Sequence, residues 1–175
     1  MKIIVEMISA IDISEIETPI YGEFRYSVRV CKNDKREAIY LVDFKKLIKE
    51  LYHHFESIYP EPDILNKTYM VEFYDIMALK NGEKRSQFDT YTDMRYTEEE
   101  REIFLLQGIG EVIKDFARQQ DVRIIFNVPL RQSLAIIYDG LLKKHADGVN
   151  FHYRSDLVEE GLYVIEVKAQ NQRAV

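Results

Sequence analysis

A chain of 175 residues and 20.8 kDa that is 46% hydrophobic and 12% aromatic holds enough apolar surface for one packed domain, which excludes wholesale disorder. Its formal net charge of −6 argues against broad binding to phosphate backbones, which needs clustered Lys and Arg, so nucleic acid is not an expected partner. Cys31 is the one cysteine, which rules out an intramolecular disulfide and points to a reducing cytosolic setting; no run approaches the ~18 apolar residues of a membrane span.

Met1–Ala10 lacks the basic start and long apolar core of a secretory signal, and Lys2–Met7 reads as a first strand. Asp12, Ser14, Glu15, Glu17 and Thr18 then read as a polar connection ending near Pro19. Phe24–Cys31 and Ala38–Val42 are expected strands, paired antiparallel across the turn Lys32–Asn33–Asp34–Lys35. Asp43 is placed to cap a helix in which Phe44, Leu47, Ile48, Leu51, Tyr52 and Phe55 form one apolar stripe, stopped before Pro60 and Pro62. Tyr69–Ala78 alternates as a strand, and Asn81–Gly82 suggests a turn. Lys84–Tyr96, rich in charge, Thr and Tyr, is a candidate functional loop.

Thr97–Glu98–Glu99–Glu100 has capping-box spacing and opens a helix to about Gln120, with Leu105, Ile109, Val112, Ile113 and Phe116 on its apolar face. Gly108 and Gly110 weaken the middle of that helix by about 1 kcal/mol each relative to Ala and so need a reason. Val122–Val128 is apolar on both faces, as a strand covered on both sides would be. Pro129 opens a helix carrying Leu134, Ile137, Tyr138, Leu141 and Leu142. Phe151–Arg154 and Leu162–Lys168 close the chain as strands joined by Ser155–Gly161, ahead of a polar tail. The expected fold class is α/β in the α+β sense: a single domain with a mixed, largely antiparallel sheet and about three helices.

The charge is unevenly placed. Met1–Phe24 carries one basic and five acidic residues, whereas Arg25–Glu50 carries eight basic and four acidic. Each stretch is a possible partner surface, and ordinary solvated faces are the plainer reading. The four histidines and Cys31 show no metal-ligand spacing, so no metal is expected. Cys31 reads as a small buried apolar residue rather than a nucleophile. Asp12, Glu15 and Glu17 are candidates to position an amine, Glu72 and Asp75 to serve as a general base, with solvation as the plainer alternative. Tyr91, Tyr96, Tyr153 and Tyr163 offer aromatic surface for a protein interface.

From about Tyr69 to Lys168 the order helix, buried strand, helix, hairpin resembles the C-terminal part of the GCN5-related N-acetyltransferases, the GNAT fold. That resemblance implies that Gly108–Ile109–Gly110 corresponds to the turn whose backbone N–H groups hold the acetyl-CoA pyrophosphate, and that Tyr138 corresponds to the acid that protonates the departing thiolate. Leu105 stands where the family usually has Arg or Gln, and the reading of Thr97–Gln120 as one continuous helix leaves no open cradle. The layout is similar to small GNAT-like proteins of bacteriophages that lack the acetyl-CoA loop. The resemblance therefore implies a non-catalytic protein in a bacterial host's cytoplasm, with no cofactor and with a host or viral protein as partner. The alternatives are an acetyl-CoA-dependent N-acetyltransferase using Tyr138 with Glu72 or Asp75, and a structural component of a virion.

Overall fold

A computed structural model describes residues 7–18, 20–80, 86–88, 90–129, 132–146, 148 and 151–168. Seven strands form a mostly antiparallel sheet with the order β1-β2-β3-β4-β5-β7-β6: β1 is Ile8–Ile16, β2 Glu23–Lys32, β3 Glu37–Lys46, β4 Thr68–Asp75, β5 Ile124–Asn127, β6 Phe151–Tyr153 and β7 Tyr163–Val167. The expected α/β class is what the chain adopts. Its residues fall into two compact units, Met1–Asp43 with Glu72–Phe116, and Phe44–Val71 with Ala117–Val175.

In the first unit β1 and β2 pair antiparallel from Ile16 opposite Arg25 to Ala10 opposite Cys31, with a bulge between Ile8 and Ala10. Because side chains alternate along a strand, Ile11 and Ile13 share a face with Val30 and Val28, while Asp12 and Ser14 share the other with Arg29 and Ser27. The residues from Asp12 to Ile16, expected as a polar connection, are therefore a strand. Polar side chains alternate with isoleucines from Ile11 to Ser14, and from Asp12 onward both faces of the strand are exposed. The expected strand Lys2–Met7 falls almost wholly on residues 1–6, outside the described residues. Gly22, at φ +80°, turns the chain into β2, and the Glu23 N–H donates to the Ile20 carbonyl at 3.3 Å.

The helical stretch begins as expected. Thr97 accepts from the Glu100 N–H and Glu100 reaches back to the Thr97 N–H, both at 3.1 Å, a complete capping box at the start of α2, Glu98–Ile103. The chain then passes through a π-helical turn, Phe104–Ile109, into α3, Gly110–Gln119. The additional residue in the π turn shifts the helix face, so that Phe104 and Ile109, five positions apart, are both buried. Gly108 supplies the clearance for this turn: a Cβ there would lie 3.1 Å from Val28 Cγ1.

The second unit departs from the expected helix over residues 44–55. β3 continues to Lys46, the Leu47 N–H donates to the Thr68 carbonyl at 2.9 Å, and only a 3₁₀ turn, Lys49–His54, follows. Tyr52, Phe55 and Ile58 recur every three residues, the 3₁₀ period, and turn toward a core of Leu47, Phe126 and Val164. Ile48 and Leu51, which an α-helical stripe would bury, stay exposed. Asp43 is not a cap, because it sits inside β3.

A four-residue helix, α1 (Pro62–Leu65), leads into β4. β4 ends at Asp75, short of the expected Ala78, where a 3₁₀ turn, Ile76–Lys80, begins. The expected turn at Asn81–Gly82 lies outside the described residues. β5 pairs parallel with β4 and antiparallel with β7, and its consecutive residues Ile124, Ile125 and Phe126 are all buried, so both of its faces are covered as its apolar sequence requires. α4, Gln132–His145, follows it; of its expected apolar face, the side chains of Leu134 and Ile137 lie outside the described residues. β6 and β7 pair antiparallel around a 3₁₀ turn, Ser155–Glu160, that closes on Gly161 at φ +77°. The polar tail from residue 169 lies outside the described residues.

Candidate functional site

Glu72, Asp75, Gly108 and Gly110 belong to the first unit, and Tyr138 belongs to the second. Gly108 and Gly110 lie inside a continuous helical stretch. The Gly110 N–H is taken by the Leu105 carbonyl, and Gly108 is buried against Val28 and the Phe104 ring. A phosphate cradle at a helix N-terminus needs such N–H groups free.

Asp75 is buried, and its Oδ1 accepts the Met77 N–H at 2.9 Å, capping the 3₁₀ turn after β4. Glu72 is an odd number of residues away on the same strand and so projects from the opposite face. Close to Asp75, the Tyr40 and Tyr96 hydroxyls lie 3.0 Å apart, and both rings pack on Phe104, at 4.6 and 5.7 Å between centroids. Burial pushes the Tyr40 hydroxyl up to about 12 and raises Tyr96 further. Neither phenol ionises near neutral pH.

The loop before α2, expected as a functional segment, is held from below. Lys32 Nζ donates to the Met94 and Arg95 carbonyls at 3.0 and 3.1 Å and to Glu100 Oε1 at 3.0 Å. Tyr163 is buried and so offers no surface, whereas Tyr96 and Tyr153 are half-buried, with hydroxyls engaged by Tyr40 at 3.0 Å and by Asp139 at 2.6 Å. Tyr138 packs edge-on to Tyr163 at 6.2 Å, and burial raises its pKa.

In the second unit an open cleft of about 330 Å³ is lined by Tyr59, Ile64, Arg123, His152, Glu166 and their neighbours. The Tyr59 hydroxyl donates to Glu166 Oε2 at 2.5 Å, and Arg154 Nη1 donates to the same oxygen at 3.2 Å. Burial first, and Glu166 second, raise the Tyr59 pKa. Its proton stays in place, and Glu166 is paired with Arg154. Among the described residues no cluster of His, Cys, Asp and Glu is arranged to hold a metal ion, and no helix is long and apolar enough to cross a membrane.

The charge asymmetry separates the two stretches seen in sequence. Four of the eight basic residues in the basic stretch are paired: Arg25 with Asp43, Arg29 with Glu37, Lys32 with Glu100 and Arg36 with Asp34. Among the described residues Glu15 and Glu17 have no ion-pair partner. Arg29, which lies opposite Asp12, is engaged by Glu37 through two hydrogen bonds at 2.7 and 3.1 Å.

Asp12 and Glu15 sit on the outermost strand, and Glu17 follows its end. β1 has β2 on one side and no strand on the other among the described residues. Along it and its hairpin Ile13, Ile16, Ile20 and Tyr21 are exposed, Ile20 by 51% and Tyr21 completely. Sequence reasoning took the acidic stretch as a possible partner surface but read the residues from Asp12 as a connection, although the alternation of Ile11 and Ile13 with Asp12 and Ser14, followed by Gly22, carried the strand signal. An unpaired edge of nine residues with apolar side chains is a template for a further strand. No protein-family model, curated protein or solved structure matches this chain.

Proposed function

We propose that this chain is a non-catalytic, GNAT-like protein-binding protein, encoded by a bacteriophage or another mobile element and acting on a host or viral protein in the bacterial cytoplasm. The observation that carries the reading is the closed Gly108–Gly110 segment. The element order on which the resemblance rests is present, with a helical stretch from Glu98 to Gln119, then β5, α4 and the β6–β7 hairpin. The Gly110 N–H that an acetyl-CoA pyrophosphate would need is bonded to Leu105 instead. Asp75, a candidate base, is occupied as a cap.

Titration calorimetry with acetyl-CoA and with CoA tests this. We expect no heat at millimolar ligand. Micromolar binding, about −8 kcal/mol, would overturn the reading in favour of an N-acetyltransferase in which the π turn opens, with Tyr138 as acid and Glu72 or Asp75 as base. An amine screen with Tyr138→Phe as control would follow.

A further inference from the structure

We propose that the open edge of β1 is a docking site for one extended, basic segment of a partner protein, which adds to the sheet as an eighth strand. The proposal rests on the protein-binding reading above and specifies its partner.

Three observations converge on the edge. β1 is a full-length strand, Ile8–Ile16, whose outer side is unpaired among the described residues, so backbone N–H and C=O groups are available in a row. β1 and β2 rest on the π-helical turn, where Gly108 lets the helix approach the buried Val28 closely, so the edge strand is backed by packed structure. Ile13, Ile16, Ile20 and Tyr21 provide exposed apolar contacts, with Tyr21 as an aromatic anchor at the hairpin tip.

Charge selects the occupant. From Met7 to Phe24 the chain contains Asp12, Glu15, Glu17 and Glu23 and no Lys, Arg or His. A second copy of this chain pairing through β1 would bring no opposite charges together, and in the registers that set Asp12 or Glu15 against the same residues it would place like charges directly opposite, which destabilises a strand pair. A strand with alternating Lys or Arg carries its positive charges on one face and so sets them on the side of Asp12 or on the side of Glu15, which lie on opposite faces of β1. The neighbouring arginines of β2 do not compete, because Arg25 and Arg29 are both held by carboxylates of β3. Strand addition takes its affinity from main-chain hydrogen bonds and its specificity from alternate side chains.

The test uses the full chain and a capped nine-residue peptide of alternating Lys and Val, matched to the length of β1, with a Glu–Val peptide as control. Calorimetry at low salt is expected to show binding of the Lys–Val peptide alone. Two N-methylated forms of that peptide, blocked at odd or at even positions, separate strand addition from simple charge attraction, because only one set of amides faces β1. One form is expected to lose binding and the other to keep it. Asp12→Lys combined with Glu15→Lys should weaken the Lys–Val peptide by about tenfold and admit the Glu–Val peptide. Both positions are exposed, and circular dichroism reports whether the fold is kept.

Absence of binding at millimolar Lys–Val peptide would overturn the proposal. So would equal binding of both N-methylated forms. A dimer of this chain that the peptide dissociates would assign the edge to a second copy and would also overturn it. If CoA and the peptide both fail to bind, the docking proposal falls while the non-catalytic reading stands; if CoA binds, that reading falls by itself.

Discussion

The Lys32 ammonium lies 3.0 Å from Glu100 Oε1 with none of its side chain exposed and only 6% of its partner's. Its three protons are all accounted for, by Glu100 and by two carbonyls of the loop before α2. Glu100 also completes the capping box with Thr97, so a single carboxylate joins helix start, loop and strand. Removing it strands a buried cation, whereas removing Thr97 removes only a cap. Glu100→Ala is therefore expected to cost about 3–5 kcal/mol and Thr97→Ala about 1 kcal/mol, read from urea unfolding. Equal costs would mean that the cap, not the ion pair, carries Glu100.

Gly108 gives the second prediction, because two effects oppose each other there. Replacing a mid-helix glycine by alanine ordinarily gains about 1 kcal/mol from propensity. At Gly108 the added methyl would meet Val28 Cγ1 at 3.1 Å and the Phe104 ring at 3.4 Å, and both neighbours are themselves buried. Gly108→Ala is expected to destabilise by about 1–3 kcal/mol, the usual cost of overpacking. In the Val28→Ala background that penalty should largely vanish. A double-mutant cycle with coupling below about 0.5 kcal/mol would show that the two do not compete for space.

That glycine also marks where sequence reasoning stopped. The capping box at Thr97, the doubly apolar strand at Ile124–Phe126 and the closing hairpin were legible because each is set by local chemistry: side-chain reach, burial on two faces, a turn. The π turn was not, since it depends on how closely Gly108 approaches Val28, a contact between residues far apart in sequence. The residues from Phe44 to Phe55 fit a helical stripe, yet the same apolar positions serve a strand end and a 3₁₀ turn once Asp43 is taken into the sheet. β1 was missed because its polar residues Asp12, Ser14 and Glu15 resemble a loop when read alone. Of the candidate site residues, types and elements were legible. The partners that occupy Asp75 and Gly110 were not.

Asp43 supplies the third prediction. Its carboxylate receives Arg25 Nε at 2.7 Å, Arg25 Nη2 at 3.0 Å and the Tyr74 hydroxyl at 2.8 Å, and the residue is buried. A bidentate guanidinium pair is geometry-specific, so Arg25→Lys cannot replace it. Asp43→Ala should cost about 3–5 kcal/mol, and Tyr74→Phe, which removes one donor and leaves the ion pair intact, about 1 kcal/mol. Were residue 43 a helix cap, as its sequence context suggests, Tyr74→Phe would have no effect on the Asp43→Ala penalty. Chemical denaturation of the two single variants and the double variant distinguishes these outcomes.

Alkaline pH provides the last. The Tyr40 hydroxyl is raised from its ordinary value near 10 to about 12, chiefly by burial and with an added contribution from the Asp75 charge, while its bond to Tyr96 pulls it slightly down. Tyr96 is raised by burial and by Tyr40. A phenol whose pKa is higher folded than unfolded holds its proton in the native state while the unfolded chain loses it. The stability this contributes is fully present below pH 10 and is lost as pH rises through the folded value near 12. Urea midpoints should therefore be flat up to pH 10 with respect to this pair and fall steeply toward 12. Tyr40→Phe removes one titrating group and should flatten the fall by up to about 1.4 kcal/mol per pH unit, the limit for one proton. An unchanged slope in that variant would place the alkaline transition elsewhere, with the raised hydroxyls of Tyr59 and Tyr138 as the next groups to replace.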